Sequence, residues 1–157
     1  MSKSLVLYYS QSKNTEKIAQ CIHRSIDSDL LKIEPLYSYS KDYSTFLKEV
    51  HTQFENKEQV PYQPVSIDLD AYETIFIGSP NWDGYIALPL ATFLQDHSFQ
   101  GKKVLPFLSH KGGGKEEMET DLLRYCAKAE IKPSYTIYED IDTDHVEDLL
   151  EWIHTYF

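Results

Sequence analysis

The 157-residue sequence has only two cysteines. Cys21 and Cys126 stand far apart, each inside a segment of helical spacing, with no C-x-x-C pair. That pattern excludes a disulfide framework and a cysteine-based zinc site. Both read as small apolar helix residues. No His-Glu-x-x-His or comparable spacing offers a metal site. Long apolar runs are also missing. The N-terminal one, Leu5 to Tyr9, is too short for a signal h-region or a membrane span, and nothing later is longer. The expected compartment is therefore cytoplasmic. Basic charge is scarce: 15 Lys and Arg face 25 Asp and Glu, a formal net charge of −10. Such a chain repels phosphate backbones and anionic lipid, so nucleic acid and membrane are not expected partners, whereas a basic protein is. Repeats, low-complexity tracts and Gly/Ser linkers are lacking too, so residues 1–157 read as a single domain. A domain of this size buries roughly 70% of its unfolded surface without covalent staples.

What is present is alternation. Leu5 to Tyr9 is a short apolar run bounded by Ser, Gln and Asn, a buried strand. From Thr15 to Ile26 the spacing turns helical, with Ile18, Cys21-Ile22 and Ile26 on one face. Leu30 to Ile33 is a second strand, ended by Pro35. Ser40 to Asn56 is a second helix, its stripe formed by Tyr43, Phe46-Leu47, Val50 and Phe54. Residues 57–70, punctuated by Pro61 and Pro64, form a surface connection. Thr74 to Ile77 is a third strand, closed by Gly78-Ser79-Pro80. Leu88 to Gln95 is a third helix with Pro89 in its first turn. Val104 to Leu108 is a fourth strand, Lys115 to Ala129 a fourth helix and Tyr135 to Tyr138 a fifth strand. Asp144 to Tyr156 is a last helix, with Val146, Leu149-Leu150 and Ile153 inward. Strands apolar on both faces and separated by helices predict an α/β fold of three layers, a doubly wound five-stranded parallel sheet of order 2-1-3-4-5. Ligands of such sheets bind outside the carboxyl ends of the strands at the switch point. The loops after strands 1, 3 and 4 are therefore the places to look.

The first loop, Ser10-Gln11-Ser12-Lys13-Asn14-Thr15, is dense in hydroxyls and opens a helix. Unpaired N–H groups and the positive end of the helix dipole suit a phosphate there. Asn14 or Ser12 acting as an ordinary helix cap accounts for the same residues. The loop has neither Gly-x-x-x-x-Gly-Lys-Ser/Thr nor Gly-x-Gly-x-x-Gly, which excludes a P-loop and a dinucleotide fingerprint. It holds no cysteine nucleophile, and no acidic cluster ends strand 1. The second loop runs from Gly78 to Tyr85. Its Trp82 and Tyr85 offer stacking walls for a flat conjugated ligand, and Gly84 lets backbone approach the ligand's edge. Trp82 covering the core beneath is the alternative. The third loop, Ser109-His110-Lys111-Gly112-Gly113-Gly114, offers backbone N–H groups to a ligand, or is a flexible turn before a helix.

These loops carry a family resemblance. Tyr8 to Ala19 resembles the flavodoxin phosphate loop, Ser/Thr-x-Thr-Gly-Asn-Thr, and the helix after it. Ile75 to Gly84 resembles the family's third strand and its Gly-x-Pro-x-Trp-Trp-Gly loop. Leu90 to Leu94 and Phe99 to Val104 resemble the next helix and strand, and Ser109 to Gly113 resembles the third flavin loop. The similarity spans nearly the whole chain. It implies one bound FMN. Ser10, Ser12, Asn14 and Thr15, with the charge of Lys13, would hold its phosphate. Pro80, Asn81, Trp82, Asp83 and Gly84 would lie along one side of the isoalloxazine. Ser109, His110 and Gly112 would border the other edge. Two departures stand out: Lys13 replaces the usual Gly, and Asp83 replaces a common second Trp.

The function implied is a low-potential electron carrier serving protein redox partners with basic surfaces. Late acidic residues, Glu139, Asp140, Asp142, Asp144, Glu147, Asp148 and Glu151, are suited to steering such partners, or form a solvated helix face. The resemblance also admits an NAD(P)H-dependent FMN or quinone reductase, many of which are homodimers. A flavin-less binding module is the third reading, motivated by Lys13 and Asp83.

Overall fold

The computed structural model describes residues 3–138 and 143–157. The parallel ladder is built from β1 (Lys3–Tyr8), β2 (Asp29–Lys32), β3 (Tyr72–Pro80), β4 (Lys103–His110), β5 (Glu130–Ile131) and β6 (Tyr135–Tyr138). Its order is β2-β1-β3-β4, with β5 and β6 successively along the outer side of β4. The expected order 2-1-3-4-5 is thus the observed one, with the fifth position split in two. The split falls between Ile131 and Tyr135, where Pro133 lacks an N–H and faces the stretch of β4 that carries Pro106. The Trp152 indole N–H donates to the Pro133 carbonyl at 2.8 Å, so the freed acceptor is satisfied from a helix.

The helices are α1 (Asn14–Ser25), α2 (Tyr43–Glu55), α3 (Leu88–Asp96), α4 (Met118–Tyr125) and α5 (Thr143–Tyr156). Strand periodicity divides the core. Leu5, Leu7, Ile75 and Ile77 point to the face covered by α2, α3 and α4. Val6, Tyr8, Phe76 and Phe107 point to the face covered by α1 and α5. Each fully buried side chain of this size contributes roughly 1.5–3 kcal/mol.

Several boundaries differ from the sequence expectation. Strand β2 lies at the sheet edge and is not buried on both faces, Leu30 being exposed. Beyond it, the connection over 57–70 adds an antiparallel bridge, Pro35 to Tyr62, and ends in a 3-10 turn at Leu69–Ala71. Strands β3 and β4 run past the expected ends, pairing Pro80 with Ser109. Gly78, Ser79, Pro80, Ser109 and His110, expected in loops, are therefore sheet. Helix α4 starts at Met118, not Lys115, because Glu116 takes a left-handed conformation (φ 42°). On α5, Leu149 and Ile153 point inward as expected, but Leu150 is exposed and Trp152 is buried in its place.

Candidate functional site

A cavity of about 610 Å3 opens at the carboxyl end of the sheet. It lies where β1 and β3 diverge to opposite connections, the place the fold rule indicates. Ser12, Asn14, Pro80, Asn81, Trp82, Asp83, Ser109 and His110 line it. Ser10, Lys13, Thr15, Gly84 and Gly112, also expected at the site, do not. Each of the five has another observed place.

Lys13 is the N-cap of α1, at φ 70° and ψ −4°, and its side chain caps nothing. The backbone is therefore in the conformation that glycine tolerates best, despite the Cβ. Ser10 Oγ accepts from the Glu16 N–H at 3.2 Å. Thr15 Oγ1 and Ser109 Oγ are 2.8 Å apart and buried, tying the first loop to the third. Glu16, in the first turn, brings negative charge near the helix start. Burial raises its pKa, but hydrogen bonds from Lys32 and Tyr8 and the charge of Lys13 outweigh this and hold it below the ordinary value.

The second loop is a two-residue hairpin. Trp82 and Tyr85 exchange both N–H···O=C bonds at 2.8 Å, and Asp83 (φ 55°) and Gly84 (φ 93°) supply the two positive φ values of a type I′ turn. The Gly84 N–H donates to Asn81 Oδ1 at 2.7 Å, and its carbonyl accepts from the Glu117 N–H at 2.9 Å. The Asn81 amide in turn donates to the Gly114 carbonyl and to Glu116, which explains the late start of α4. Behind the turn, the Ile86 N–H donates to the buried Asp121 carboxylate at 3.1 Å. Burial pushes the Asp121 pKa up, while this bond and Arg124 oppose the rise.

The two aromatics of this loop differ: Trp82 is turned inward and Tyr85 is half-buried. Trp82 is 5% exposed and meets Tyr9, Tyr39 and Phe46 edge-to-face, at centroid distances of 5.0, 5.1 and 5.2 Å. Burial raises the Tyr9 and Tyr39 hydroxyl pKa values well above normal. Tyr85 packs on Phe54. The reading of Trp82 and Tyr85 as exposed stacking walls is therefore corrected: the core claims the Trp82 ring, and Tyr85, half-buried against Phe54, does not line the cavity. Asp83 faces α2, its carboxylate 3.1 Å from His51 Nδ1. In the third loop the Gly112 N–H donates to His110 Nδ1 at 3.1 Å, so the neutral ring carries its proton on Nε2. Gly112 thus orients His110 and does not itself face the cavity.

One wall was not foreseen. Ser40, Lys41, Tyr43, Phe46, Leu47, Val50 and His51 enter from α2 and the segment before it. Phe46 and Val50 are buried as their stripe predicts, but Tyr43 and Leu47 are exposed on the cavity rim. Asp42 fixes the helix start by accepting from the Thr45 N–H and hydroxyl at 3.0 and 2.7 Å. An Asp-x-x-Thr cap directly before Tyr43 was the signal in the sequence. The lining carries Lys41 and Lys111 against a single carboxylate, Asp83, in a chain of net charge −10.

The family model for flavodoxin matches residues 3–156. No curated protein matches the sequence significantly. Among solved structures, a protein of Bacteroides eggerthii DSM 20697, provisionally termed a flavoprotein, is 22% identical with a TM-score of 0.84, covering 99% of this chain and 98% of its own. The flavoprotein of Lactobacillus acidophilus NCFM, solved in complex with FMN, is 23% identical with a TM-score of 0.73, covering 96% and 99%. Oxidised flavodoxin 2 of Bacillus cereus is 22% identical with a TM-score of 0.61, covering 99% and 100%. At these identities the likenesses establish the fold.

Proposed function

The chain belongs to the flavodoxin family, and on that premise we propose that it binds one FMN in the 610 Å3 cavity and works as a low-potential electron carrier. The observation that carries this reading is the junction of the cavity with the start of α1. The side chain of its N-cap residue, Lys13, makes no cap bond, Ser10 Oγ takes only the Glu16 N–H, and the loop before it places Ser12 and Asn14 in the cavity wall. The N–H groups of the first turn ahead of Glu16, a hydroxyl and an amide are the donor set an anion needs. The cavity's volume and its mixed apolar and polar lining fall in the range of cofactor sites. The residues present therefore fit FMN.

In this reading Ser12, Asn14 and the first N–H groups of α1 hold the phosphate, and Lys13 adds charge. Ser10 and Thr15 keep the loop in shape through their bonds to Glu16 and Ser109. Pro80, Asn81 and the Asp83-Gly84 turn bound the ring on one side, Ser109 and His110 on the other. Bound FMN would supply the redox chemistry, and the chain supplies position and electrostatics. Strong acidity supports a carrier role, since exposed Glu147, Asp148 and Glu151 on α5 suit a partner with a basic surface. Glu139, Asp140 and Asp142 lie outside the described residues, and of Asp144 only the backbone is described.

The test has two arms. Purified protein should take up FMN and show a flavin spectrum, and acid should release the monophosphate. It should oxidise NADH or NADPH negligibly by itself, yet be reduced fast by a separate reductase. Failure to take up flavin would sink the binding claim. Rapid unaided turnover with a saturating nicotinamide would replace the carrier with a reductase.

A further inference from the structure

Three aromatic residues line the cavity: Tyr43, Phe46 and Trp82. Phe46 and Trp82 are 7% and 5% exposed, their rings committed to each other and to Tyr39. Tyr43 is 57% exposed and backs onto Phe46 at 6.3 Å. Other exposed tyrosines, Tyr37 and Tyr138, do not line the cavity. The one aromatic residue of the lining with surface to spare thus comes from the start of α2 and from none of the three loops after β1, β3 and β4. That surface is also chemically marked. The Lys111 ammonium, from the loop after β4, lies 4.8 Å from the Tyr43 ring centroid. The ring therefore already receives a cationic neighbour across the cavity mouth, held by a weak exposed contact.

We propose that Tyr43 is the stacking platform for the isoalloxazine ring, taking the place that Trp82 has in the sequence pattern, and that Lys111 yields the Tyr43 face when the ring binds. The proposal rests on the FMN reading. Its physical basis is that stacking needs a ring supported behind and open in front. Phe46, itself packed on Trp82, supplies the support, and Asp42 holds the helix start in position. A planar conjugated ring gains more from an aromatic face than an exposed ammonium does, since it also removes apolar surface from water.

The full-length chain, freed of flavin, is titrated with FMN and with riboflavin, following flavin fluorescence. Wild type should quench both flavins. Tyr43→Leu should weaken both by a similar factor, about tenfold or more as for other aromatic stacking platforms, and leave the bound flavin brighter. Tyr43→Phe should restore affinity and quenching. The exposed position predicts unchanged urea midpoints for both variants, and the riboflavin arm separates stacking from any disturbance of the phosphate loop. If wild type binds FMN and Tyr43→Leu binds and quenches it equally well, the platform is elsewhere and the proposal is wrong. Loss of FMN binding with riboflavin binding intact would also overturn it. If wild type binds neither flavin, it is the FMN reading itself that fails.

Discussion

Lys13 holds a left-handed backbone, which costs a residue with a Cβ roughly 1–2 kcal/mol. The family's glycine would avoid that cost, so the departure noted in the sequence is a real backbone feature. His51 could not be noticed that way. It lies 32 positions from Asp83 in sequence, and only the packing of α2 against the hairpin turn brings them together. Its Nδ1 is 3.1 Å from Asp83 and its Nε2 is 3.0 Å from Glu55. Only the doubly protonated ring donates to both carboxylates. The Asp83 hydrogen bond, then the Glu55 charge, raise its pKa above the ordinary value. A raised folded-state pKa stabilises the fold fully below the unfolded value of about 6.5, and the gain is lost as pH rises through the folded value. Comparing wild type with His51→Gln in urea, wild type should be the more stable at the acidic side of this window, and the gap should close at the alkaline side. NMR titration should give a His51 midpoint that falls in Asp83→Asn. A midpoint unmoved by Asp83→Asn would mean that the clasp between α2 and the turn does not form in solution.

At the scale of elements, the order of strands and helices was legible because apolar runs and helical stripes are local signals. Their ends were not, because pairing decides them. Gly78, Ser79 and Pro80 read as a loop, yet β4 offers partners as far as Ser109, so β3 continues. Gly78 itself is required by packing: the Phe107 ring occupies the space a Cβ would take. The site showed the same division. Ser12, Asn14, Asn81 and His110 were found because loops after strands are identifiable. The α2 wall was missed because Tyr43 and Leu47 look like members of an ordinary core stripe. Trp82 was misread for the complementary reason, since sequence does not tell which way a loop aromatic turns. Its burial makes a prediction of its own. Removing a fully packed aromatic leaves a cavity, so Trp82→Ala should cost roughly 3–5 kcal/mol in urea unfolding of flavin-free protein. An exposed ligand-stacking Trp would cost about 0.5 kcal/mol or less in that state. A small effect would place the ring outside the core.

At the scale of the whole molecule, two fields act on an incoming FMN. The chain's net charge of −10 repels the phosphate at long range. Lys41 and Lys111 in the lining, and Lys13 at the head of α1, attract it at short range. The one acid of the lining, Asp83, is paired with His51. Salt separates the two effects. The screening length shortens from about 30 Å at 0.01 M salt to about 10 Å at 0.1 M. That removes much of the long-range repulsion but less of a contact only a few ångströms long. Over that interval the association rate of FMN should therefore rise. Its dissociation rate should rise too, more modestly, as the lysines lose part of their hold. Riboflavin, lacking the phosphate, should show neither change. Stopped-flow quenching of flavin fluorescence measures both rates. An FMN association rate that falls with salt would mean that the local lysines outweigh the global charge even during approach. Identical salt behaviour of FMN and riboflavin would mean that the phosphate does not meet the start of α1, and the binding orientation proposed for this cavity would have to be reversed.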